Sequence, residues 1–342
     1  MKDKKRILLI GAGVSNASLA RIFLNDGHYV EIHEKTSELG GMLHDEYDKE
    51  SKCWVSNPHI IHAKKGNEKA IDWLKKQTKL VPFKHKVMCI GDSSFTFFPI
   101  NESYSELYEF MYPEREMKKE FIDSYSKKMW EDSYEEVMLN IEKRWIPKKS
   151  RIPDFFEGQL QFQPKNGYSN MIKDLIKGAK LIVEREENFE TIEWDKWDLV
   201  ILSSNIDEFF KFRLGTLEFK GLDFVYKKIE TDGSNLLPSP VVNLPLHKRI
   251  VRITESNQMQ SYKNNSKVRV LCFDVTGSDK NRFYPVLTER NKNLLEKYFE
   301  KVKQYPKLVL HGRTSEYCYK DIDDCVNDSI KLYNKLKNER NL

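Results

Sequence analysis

The chain has 342 residues, of which 39% are hydrophobic, 12% aromatic and 32% charged. This length is too great for one ordinary core and suits two or three packed subdomains of a globular protein. Its 57 basic and 52 acidic residues nearly cancel, so the formal charge of +5 does not indicate direct nucleic-acid binding. No apolar run approaches the roughly 20 residues of a membrane span, and we therefore expect no membrane partner.

The N-terminus and the cysteines narrow the class further. The basic start MKDKK precedes an apolar stretch that is short and runs into a glycine turn, unlike a signal peptide, so we expect a cytoplasmic location. The cysteines are odd in number and lack C-x-x-C spacing, which predicts neither a disulfide framework nor a metal site. They are Cys53, Cys89, Cys272, Cys318 and Cys325.

The first predicted elements form a βαβ unit. Arg6–Ile10 is a short apolar run typical of a buried parallel strand, and it ends at the glycine turn Gly11–Asn16. Apolar residues at helical spacing follow from Ala17 to Asn25, and Tyr29–His33 reads as a second strand, followed directly by Glu34. An acid about 20 residues beyond the glycine turn completes a dinucleotide-binding arrangement.

The glycine turn and the acid that follows the second strand have predicted roles in cofactor binding. Gly11 permits the tight turn, Gly13 lets backbone amides approach a pyrophosphate, and the helix N-terminus adds partial positive charge. Glu34 is expected to accept hydrogen bonds from ribose hydroxyls. Asn16 replaces the third glycine of the fingerprint, which we expect to loosen the packing of helix on strand or to be tolerated there.

A second glycine pair, Gly40-Gly41, follows in the sequence E-L-G-G-M. It resembles the step that flavoproteins of the glutathione-reductase type carry after the ribose-binding acid, where backbone lies against the flavin phosphates. NAD dehydrogenases generally lack this step, so it favours FAD over NAD.

Motifs further along the chain resemble those of the UDP-galactopyranose mutases, in the same order and with largely the same spacing. In the first half of the chain, Asn57–His62 is similar to G-P-H-I-F-H, Phe83–Val87 with Phe98–Asn101 is similar to Y-R-H-R-V…P-I-N, and Tyr125–Trp130 is similar to Y-T-x-K-Q-W. Further on, Arg151–Pro153 is similar to the start of R-I-P-x-R, Pro164–Tyr168 is similar to P-K-G-G-Y, and Ile206–Phe210 with Arg213, Gly215, Leu217 and Glu218 is similar to I-D-E-Y-F…R-x-G-x-L-E. Four more matches follow in the family order, at Val241–Asn243, Arg252, Phe283–Pro285 and Gly312–Asp321. Together the matches extend over nearly the whole chain.

The resemblance implies a flavin-dependent isomerase. Family members interconvert the pyranose and furanose forms of a UDP-sugar such as UDP-galactopyranose, with reduced FAD attacking the anomeric carbon through N5 to form a flavin–sugar adduct. The protein then has to orient the reactants and bind a diphosphate leaving group, for which arginine and tyrosine are suited. Family members are often dimers, so a homodimer is expected.

The resemblance also assigns residues to roles. The implied catalytic residues are Arg252, Arg313, His62, Tyr284 and Tyr319. The implied cofactor contacts are Gly11, Gly13, Ser15, Glu34, Lys35, Gly41, Met42, His59, His62, Arg313, Asp321 and Ile322. The implied substrate contacts are Tyr125, Trp130, Asn243, Arg252, Tyr284, Tyr319 and Arg151.

The sequence departs from the family pattern at a predicted lid. The family carries a second arginine in R-I-P-x-R, on a mobile lid that reaches the phosphate, but here Phe155 holds that position and the loop is several residues shorter. Met129 replaces a glutamine beside Trp130, and Ile250 replaces an aromatic residue before Arg252. These departures leave the sugar open, and UDP-N-acetylgalactosamine and UDP-arabinopyranose are alternatives.

Two alternatives outside this activity also stay open, an FAD oxidoreductase of the amine-oxidase type and a non-catalytic UDP-sugar-binding relative. The predicted fold class is α/β, with a discontinuous Rossmann-like FAD-binding domain, an inserted small helical domain and an antiparallel β-sheet substrate domain. The predicted limits are 1–82, 178–214 and 305–342 for the FAD domain, 101–150 for the helical domain, 83–100 and 215–304 for the sheet domain, and 151–177 for a lid or connecting segment.

Overall fold

The computed structural model describes residues 4–92, 94–141, 148–149, 152, 154–262, 264–278 and 281–340. Arg151, a predicted substrate contact, lies outside the described residues. Within them, no helix is long and apolar enough to cross a membrane.

Helices and strands are mixed along the chain, with a run of helices between residues 102 and 141. The helices are α1 Val14–Asn25, α2 Glu68–Gln77, α3 Glu102–Met111, α4 Ser124–Trp130, α5 Tyr134–Ile141, α6 Tyr168–Ile176, α7 Ile206–Phe209, α8 Glu289–Val302 and α9 Ile322–Arg340. A π-helical turn, Lys119–Asp123, leads into α4.

The strands are short, apart from two of nine residues. They are β1 Arg6–Ile10, β2 Tyr29–His33, β3 Glu46–Asp48, β4 Cys53–Val55, β5 Ile61–His62, β6 Leu80–Pro82, β7 Val87–Ile90, β8 Phe95–Phe98, β9 Gln161–Pro164, β10 Lys180–Ile182, β11 Leu199–Leu202, β12 Phe219–Lys220, β13 Leu222–Glu230, β14 Val241–Asn243, β15 Ile250–Glu255, β16 Val268–Thr276, β17 Tyr284–Pro285 and β18 Leu308–Leu310.

A five-stranded parallel sheet, in the order β10-β2-β1-β11-β18, carries the βαβ unit. Alternate residues of β1 enter different cores, because successive side chains of a strand point to opposite faces. Ile7 and Leu9 pack with α1, α2, α6 and α9, whereas Leu8 and Ile10 pack with α7 and α8. The continuous apolar run of β1 therefore follows from burial on both faces of the sheet.

The parallel sheet is assembled from distant parts of the chain, since β1 and β2 precede residue 34, β10 and β11 lie near residues 180–202, and β18 begins at Leu308. This topology requires long excursions between neighbouring strands. The domain limits given above stay a prediction.

A second sheet has six strands in the order β13-β16-β15-β14-β7-β8. The sequence predicts an antiparallel sheet, and this is wrong for one pair: β14 runs parallel to β7, with Val241 opposite Val87. Hairpins fix the antiparallel pairs on either side, but about 150 residues separate β7 from β14, so no tight turn dictates their direction.

The segment predicted to be a lid or connection, residues 151–177, is in large part regular structure. Strand β9 pairs with both β5 and β6. Helix α6 buries Met171, Ile172 and Leu175 at 0–1% exposure in the core beneath α1. Residues 161–176 are therefore packed structure, where apolar residues at helical spacing give α6 a buried face, and the assignment of 151–177 to a lid or connecting segment stays a prediction.

Candidate active site

A cavity of about 1660 Å³ extends from the glycine turn to the six-stranded sheet. Ligand pockets of ordinary size occupy roughly 300–1,000 Å³, so this cavity has room for a dinucleotide and a second ligand. Every predicted site residue that the structure describes lies on its wall. Their roles stay predictions, but their convergence from separated parts of the sequence is observed.

The glycine turn forms one end of this cavity. Gly11 has φ of 92°, in the left-handed region that glycine adopts without strain. Helix α1 begins at Val14, so its first backbone N–H groups face the cavity beside the turn. Glu34 Oε2 accepts a hydrogen bond from the Ala12 N–H at 2.8 Å, which fixes the carboxylate against the turn.

Asn16, expected either to loosen the packing of helix on strand or to be tolerated, is accommodated here with hydrogen bonds to the turn. The residue is fully buried, and its Nδ2 donates to the carbonyl oxygens of Ile10 at 2.9 Å and Gly11 at 3.0 Å. The amide thus satisfies two carbonyl groups at the end of β1, which a third glycine cannot do.

The second glycine pair packs directly on the first. Gly40, with φ of 102°, pairs with Gly13 as an isolated bridge, and its N–H donates to the Ala12 carbonyl at 3.2 Å. Gly41 has φ of 56° and starts a 3₁₀ turn that continues through Met42. The two glycine steps therefore form one continuous backbone surface that faces the cavity.

This end fits an adenine dinucleotide cofactor. A helix N-terminus and closely approaching glycines suit a pyrophosphate, and the Glu34 carboxylate retains acceptor capacity for ribose hydroxyls. The Nε of Arg313 on the same cavity is buried and has no hydrogen-bond partner among the described residues, so it is available to a bound group.

His62 lies in an ion-pair cluster at the start of α9. Its Nε2 is 3.5 Å from Asp321 Oδ2, and its Nδ1 lies 2.7 Å from Gln159 Oε1. Burial lowers the pKa of His62, but the hydrogen bonds to Asp321 and Gln159 outweigh this effect, so the pKa lies above its ordinary value. Lys64 Nζ also pairs with Asp321 at 2.6 Å.

The cluster changes the charge at the N-terminus of α9. Asp323 and Asp324 lie in its first turn, where Asp323 accepts from the Lys64 N–H and Asp324 pairs with Lys64 Nζ. Three acids and one lysine therefore accompany the positive helix N-terminus. Asp321 and Ile322 line the cavity, but Asp321 is already paired to cations.

An aromatic cage forms another part of the cavity wall. Trp130 meets Tyr284 and Tyr319 edge-on, with ring centroids 6.5 and 6.4 Å apart. The Arg313 guanidinium carbon lies 5.2 Å from the Tyr284 ring centroid and 5.0 Å from that of Tyr319. The two tyrosines therefore hold the guanidinium by cation–π contact while its buried Nε stays available.

Arg252 also lines the cavity, as do Arg185 and Arg282. Asp274 orients the guanidinium of Arg252. Arg252 and Asp274 are paired across β15 and β16, and Arg252 Nε lies 2.8 Å from Asp274 Oδ2, which is almost fully buried. Burial lowers the pKa of Arg252, but Tyr125 and Asp274 outweigh it, so the pKa lies above its ordinary value. Sequence reasoning missed Asp274, although an acid within the apolar strand VRVLCFDV was a usable signal.

Asn243 lies opposite Arg252 in the pairing of β14 with β15. Tyr125, half-buried on α4, reaches the same wall and packs with the cluster that contains Trp130. The predicted uridine-binding residues thus lie on one wall, beside Arg252.

Phe155, at the position of the family's lid arginine, packs into the cavity wall. Its ring centroid is 5.8 Å from that of Phe98 and 5.6 Å from that of His85, and its N–H donates to the His85 carbonyl at 2.9 Å. The next residue, Phe156, stacks on His62 with centroids 3.8 Å apart. This stretch of the predicted lid therefore presents apolar rings to the cavity where the family presents a cation.

Two histidines of this region are uncharged at neutral pH. Burial lowers the pKa of His85 to about 3 and that of His59 to about 4. The nearby Arg313 and Arg252 lower the pKa of His59 further. Both the Arg313 and the Arg252 guanidinium groups therefore lie close enough to His59 to affect its pKa.

Taken together, the fold and the cavity define a class of protein: an α/β dinucleotide-binding protein whose cofactor wall faces a second ligand site rich in arginine and tyrosine. A sequence model of the UDP-galactopyranose mutase family matches residues 120–319, more than half of the chain, and the protein belongs to this family. The resemblance inferred from the motifs is confirmed.

Individual relatives are more distant. UDP-galactopyranose mutase of Mycoplasma genitalium is 26% identical over an alignment that covers 96% of this chain and 94% of that protein. dTDP-fucopyranose mutase of Escherichia coli is 24% identical, with 98% and 100% covered. A crystal structure of reduced UDP-galactopyranose mutase has the same fold, with a TM-score of 0.72 at 12% identity, covering 98% of this chain and 96% of that one. Family membership supports a flavin cofactor and a mutase activity on a nucleotide sugar.

Proposed function

We propose that this protein is an FAD-dependent mutase that interconverts the pyranose and furanose forms of a UDP-sugar of the UDP-galactose type. Its own residues bind and orient the sugar nucleotide. The reduced flavin, when bound, supplies the nucleophile for the anomeric carbon.

One observation carries the proposal: the guanidinium groups of Arg252 and Arg313 converge on the cavity that also holds the glycine turn. Tyr284 lies beside Arg313 by cation–π contact and within electrostatic reach of Arg252. Asp274 partly neutralises Arg252, but no carboxylate among the described residues lies within 4.0 Å of the Arg313 guanidinium. A site with this excess of positive charge suits a diphosphate, and guanidinium groups bind phosphate oxygens in pairs.

The proposed roles follow from these positions. Arg252 and Arg313 stabilise the negative charge of the departing diphosphate, with Tyr284 and Tyr319 as hydroxyl donors beside it. Trp130, Tyr125 and Asn243 form the wall for the uracil and its ribose. His62, oriented by Gln159 and Asp321, lies on the cofactor side of the cavity.

The rival activities are separated by one assay. Dithionite-reduced holoenzyme is incubated with UDP-furanoses that include the galactose, N-acetylgalactosamine and arabinose forms, and the products are resolved by HPLC. We expect conversion to the pyranose, and no conversion of any sugar nucleotide would contradict the proposal. Consumption of oxygen or NADPH would indicate an oxidoreductase, and a colourless protein that binds UDP without turnover would indicate a non-catalytic relative.

A second candidate substrate is a dTDP-linked 6-deoxy sugar. The rings of Phe155 and Phe156 line the cavity next to His62. A methyl group at C6 can be buried against such rings, whereas a hydroxymethyl group would leave its hydroxyl without a partner. The relative of E. coli named dTDP-fucopyranose mutase covers almost the whole chain. Adding dTDP-fucofuranose to the same assay tests this, through the ratio of the two values of kcat/KM.

The homodimer and the cytoplasmic location stay proposals. Apolar side chains are exposed on neighbouring elements of the helical region and the sheet edge, at Phe95, Leu107, Phe110 and Met111. Strand β8 is the last strand of its sheet, and such an edge favours contact with another chain unless it is covered. Light scattering of the purified protein tests the dimer, and a monomer would contradict it.

A further inference from the structure

Lys128 lies on α4 between the residues that face the cavity but is not itself on the cavity wall. Residues two positions apart on a helix point in widely different directions, so Lys128 and Trp130 serve different neighbours. Trp130 faces the aromatic cage, whereas the Lys128 side chain reaches the turn that joins β14 to β15.

The ammonium group of Lys128 is surrounded by backbone carbonyl oxygens of this turn. Its Nζ lies 2.5 Å from the oxygen of Leu244, 3.2 Å from that of Pro245, 2.8 Å from that of His247 and 2.8 Å from that of Ile250. A lysine ammonium has three N–H donors, so these acceptors use its full capacity. The Lys128 ammonium is thus the common charged donor to the carbonyl groups of this turn.

The turn held by Lys128 sets the direction of two predicted substrate contacts. Leu244 directly follows Asn243, and Ile250 lies two residues before Arg252. The pairing of β15 with β16 is irregular between Ile250 and Arg252, and such bulges re-aim the side chains beside them. A fixed Ile250 carbonyl therefore fixes the geometry from which the Arg252 guanidinium enters the cavity.

Lys128 also couples this turn to α4, which carries Tyr125 and Trp130. Hydrogen bonds from a charged donor are roughly twice as strong as those between neutral groups. Without the ammonium, the carbonyls lose their common donor, and the turn and α4 are free to move apart.

We propose that Lys128 is a positioning residue for the nucleotide end of the site, holding Asn243 and Arg252 of β14 and β15 at a fixed distance from Tyr125 and Trp130 of α4. The proposal rests on the proposed function, because it takes UDP as the ligand of these residues. Lys128 touches neither cofactor nor substrate, and it acts through the backbone of residues 244–250.

The test measures UDP binding to the FAD-loaded protein by calorimetry, together with KM and kcat of the reduced enzyme. Lys128→Met removes the charge and keeps the length of the side chain, and we expect the Kd for UDP and the KM to rise at least about tenfold at a temperature well below the Tm. Lys128→Arg retains a charged donor and is expected to recover most of the affinity. FAD content, read from the flavin absorbance, is expected to stay at the wild-type level.

Lys127→Met is the matched control. Lys127 is the exposed neighbour on the same helix, and its ammonium lies 5.2 Å from the Tyr134 ring centroid, away from the turn. Lys127→Met removes the same charge as Lys128→Met, but Lys127 does not contact the turn, so we expect wild-type Kd and KM for this variant. If Lys128→Met does not fold, Lys128→Gln keeps two N–H donors without charge, and the same tenfold rise is expected.

The outcomes separate this proposal from the proposed function. Wild-type affinity for UDP in Lys128→Met or Lys128→Gln, even with a lower Tm, would overturn the positioning role and leave a structural one. An equal loss of affinity in Lys127→Met would overturn it as well, because net charge alone would then be the cause. A wild-type holoenzyme that binds no UDP would instead contradict the proposed function.

Discussion

The two walls of the cavity are built by different means. At the glycine turn the backbone itself forms the surface, and Gly11, Gly13, Gly40 and Gly41 bring amide groups against the space. At the other wall, formed by Trp130, Arg252, Tyr284 and Arg313, the surface consists of long side chains, whose directions are set by residues behind them. Asp274 orients Arg252 in this way.

This difference determines what each wall tolerates. A backbone surface depends on φ angles that few residues adopt, so substitutions there act through strain. A side-chain surface depends on its supports, so substitutions behind it shift the geometry without removing a contact. We therefore expect the first wall to control flavin binding and the second to control binding and turnover of the sugar nucleotide.

The largest effect is expected at the side-chain wall, from Arg313→Ala. The substitution removes a guanidinium that faces the cavity, and kcat is expected to fall by roughly 10²–10³-fold, as when a donor to a developing anion is lost. Flavin content should stay near that of the wild type, because the glycine wall is unchanged. An active variant would remove Arg313 from the chemistry.

The next effect concerns the backbone wall. Gly11→Ala places a side chain at φ of 92°, and strain of this kind costs about 1–3 kcal/mol, which corresponds to roughly 10–100-fold weaker FAD binding. Gly27→Ala is a matched control with φ of 90° away from the cavity. It should lower the Tm similarly but leave the FAD dissociation constant unchanged. Equal losses of FAD affinity in both variants would contradict the account.

Asp274→Asn tests whether the orientation of Arg252 by Asp274 is needed for activity. The variant keeps the shape of the side chain but loses the charge that orients Arg252, and we expect kcat/KM to fall by about tenfold, mostly through KM. Asp232→Asn is the control, because Asp232 lies in an exposed turn and does not line the cavity. We expect it to have no effect on kcat/KM. Wild-type kinetics in Asp274→Asn would show that Arg252 needs no partner.

The smallest expected effect is on stability and comes from the neutral histidines. His85 in the folded protein has a pKa of about 3, below the ordinary value of 6.5, because of burial. Below pH 6.5 the unfolded chain binds a proton that the folded chain does not, so stability falls as pH falls from 6.5 toward that lower pKa. Urea unfolding at pH 7 and pH 5 should show a loss of about 1–2 kcal/mol from this group. His85→Gln should lose correspondingly less, and an equal loss would contradict the assignment.

The sequence predicts the backbone wall well and the side-chain wall only in part. Strands Arg6–Ile10 and Tyr29–His33 have the predicted bounds, because continuous apolar runs and a glycine turn are local signals. The second wall is built from α4, β14, β15 and the segment after Gly312, which no local pattern joins. Only the order of the family motifs suggested that these elements meet.

The failures of prediction also have physical causes. The parallel pairing of β14 with β7 depends on contacts between distant parts of the chain. Asn16 was expected to loosen the packing of helix on strand or to be tolerated there, and the two carbonyl groups that its amide satisfies could not be read from the fingerprint. Asp274 acts through Arg252 and lies in none of the quoted motifs. Lys128 matches the lysine of Y-T-x-K-Q-W, but the motif does not show the carbonyl groups that its side chain contacts.

A crystal structure of the reduced protein with UDP bound tests whether flavin and sugar nucleotide share this cavity. We expect the uracil against Tyr125 and Trp130, the diphosphate between Arg252 and Arg313, and the flavin phosphates at the glycine turn. UDP bound outside this cavity, or a diphosphate out of reach of both guanidinium groups, would contradict this expectation.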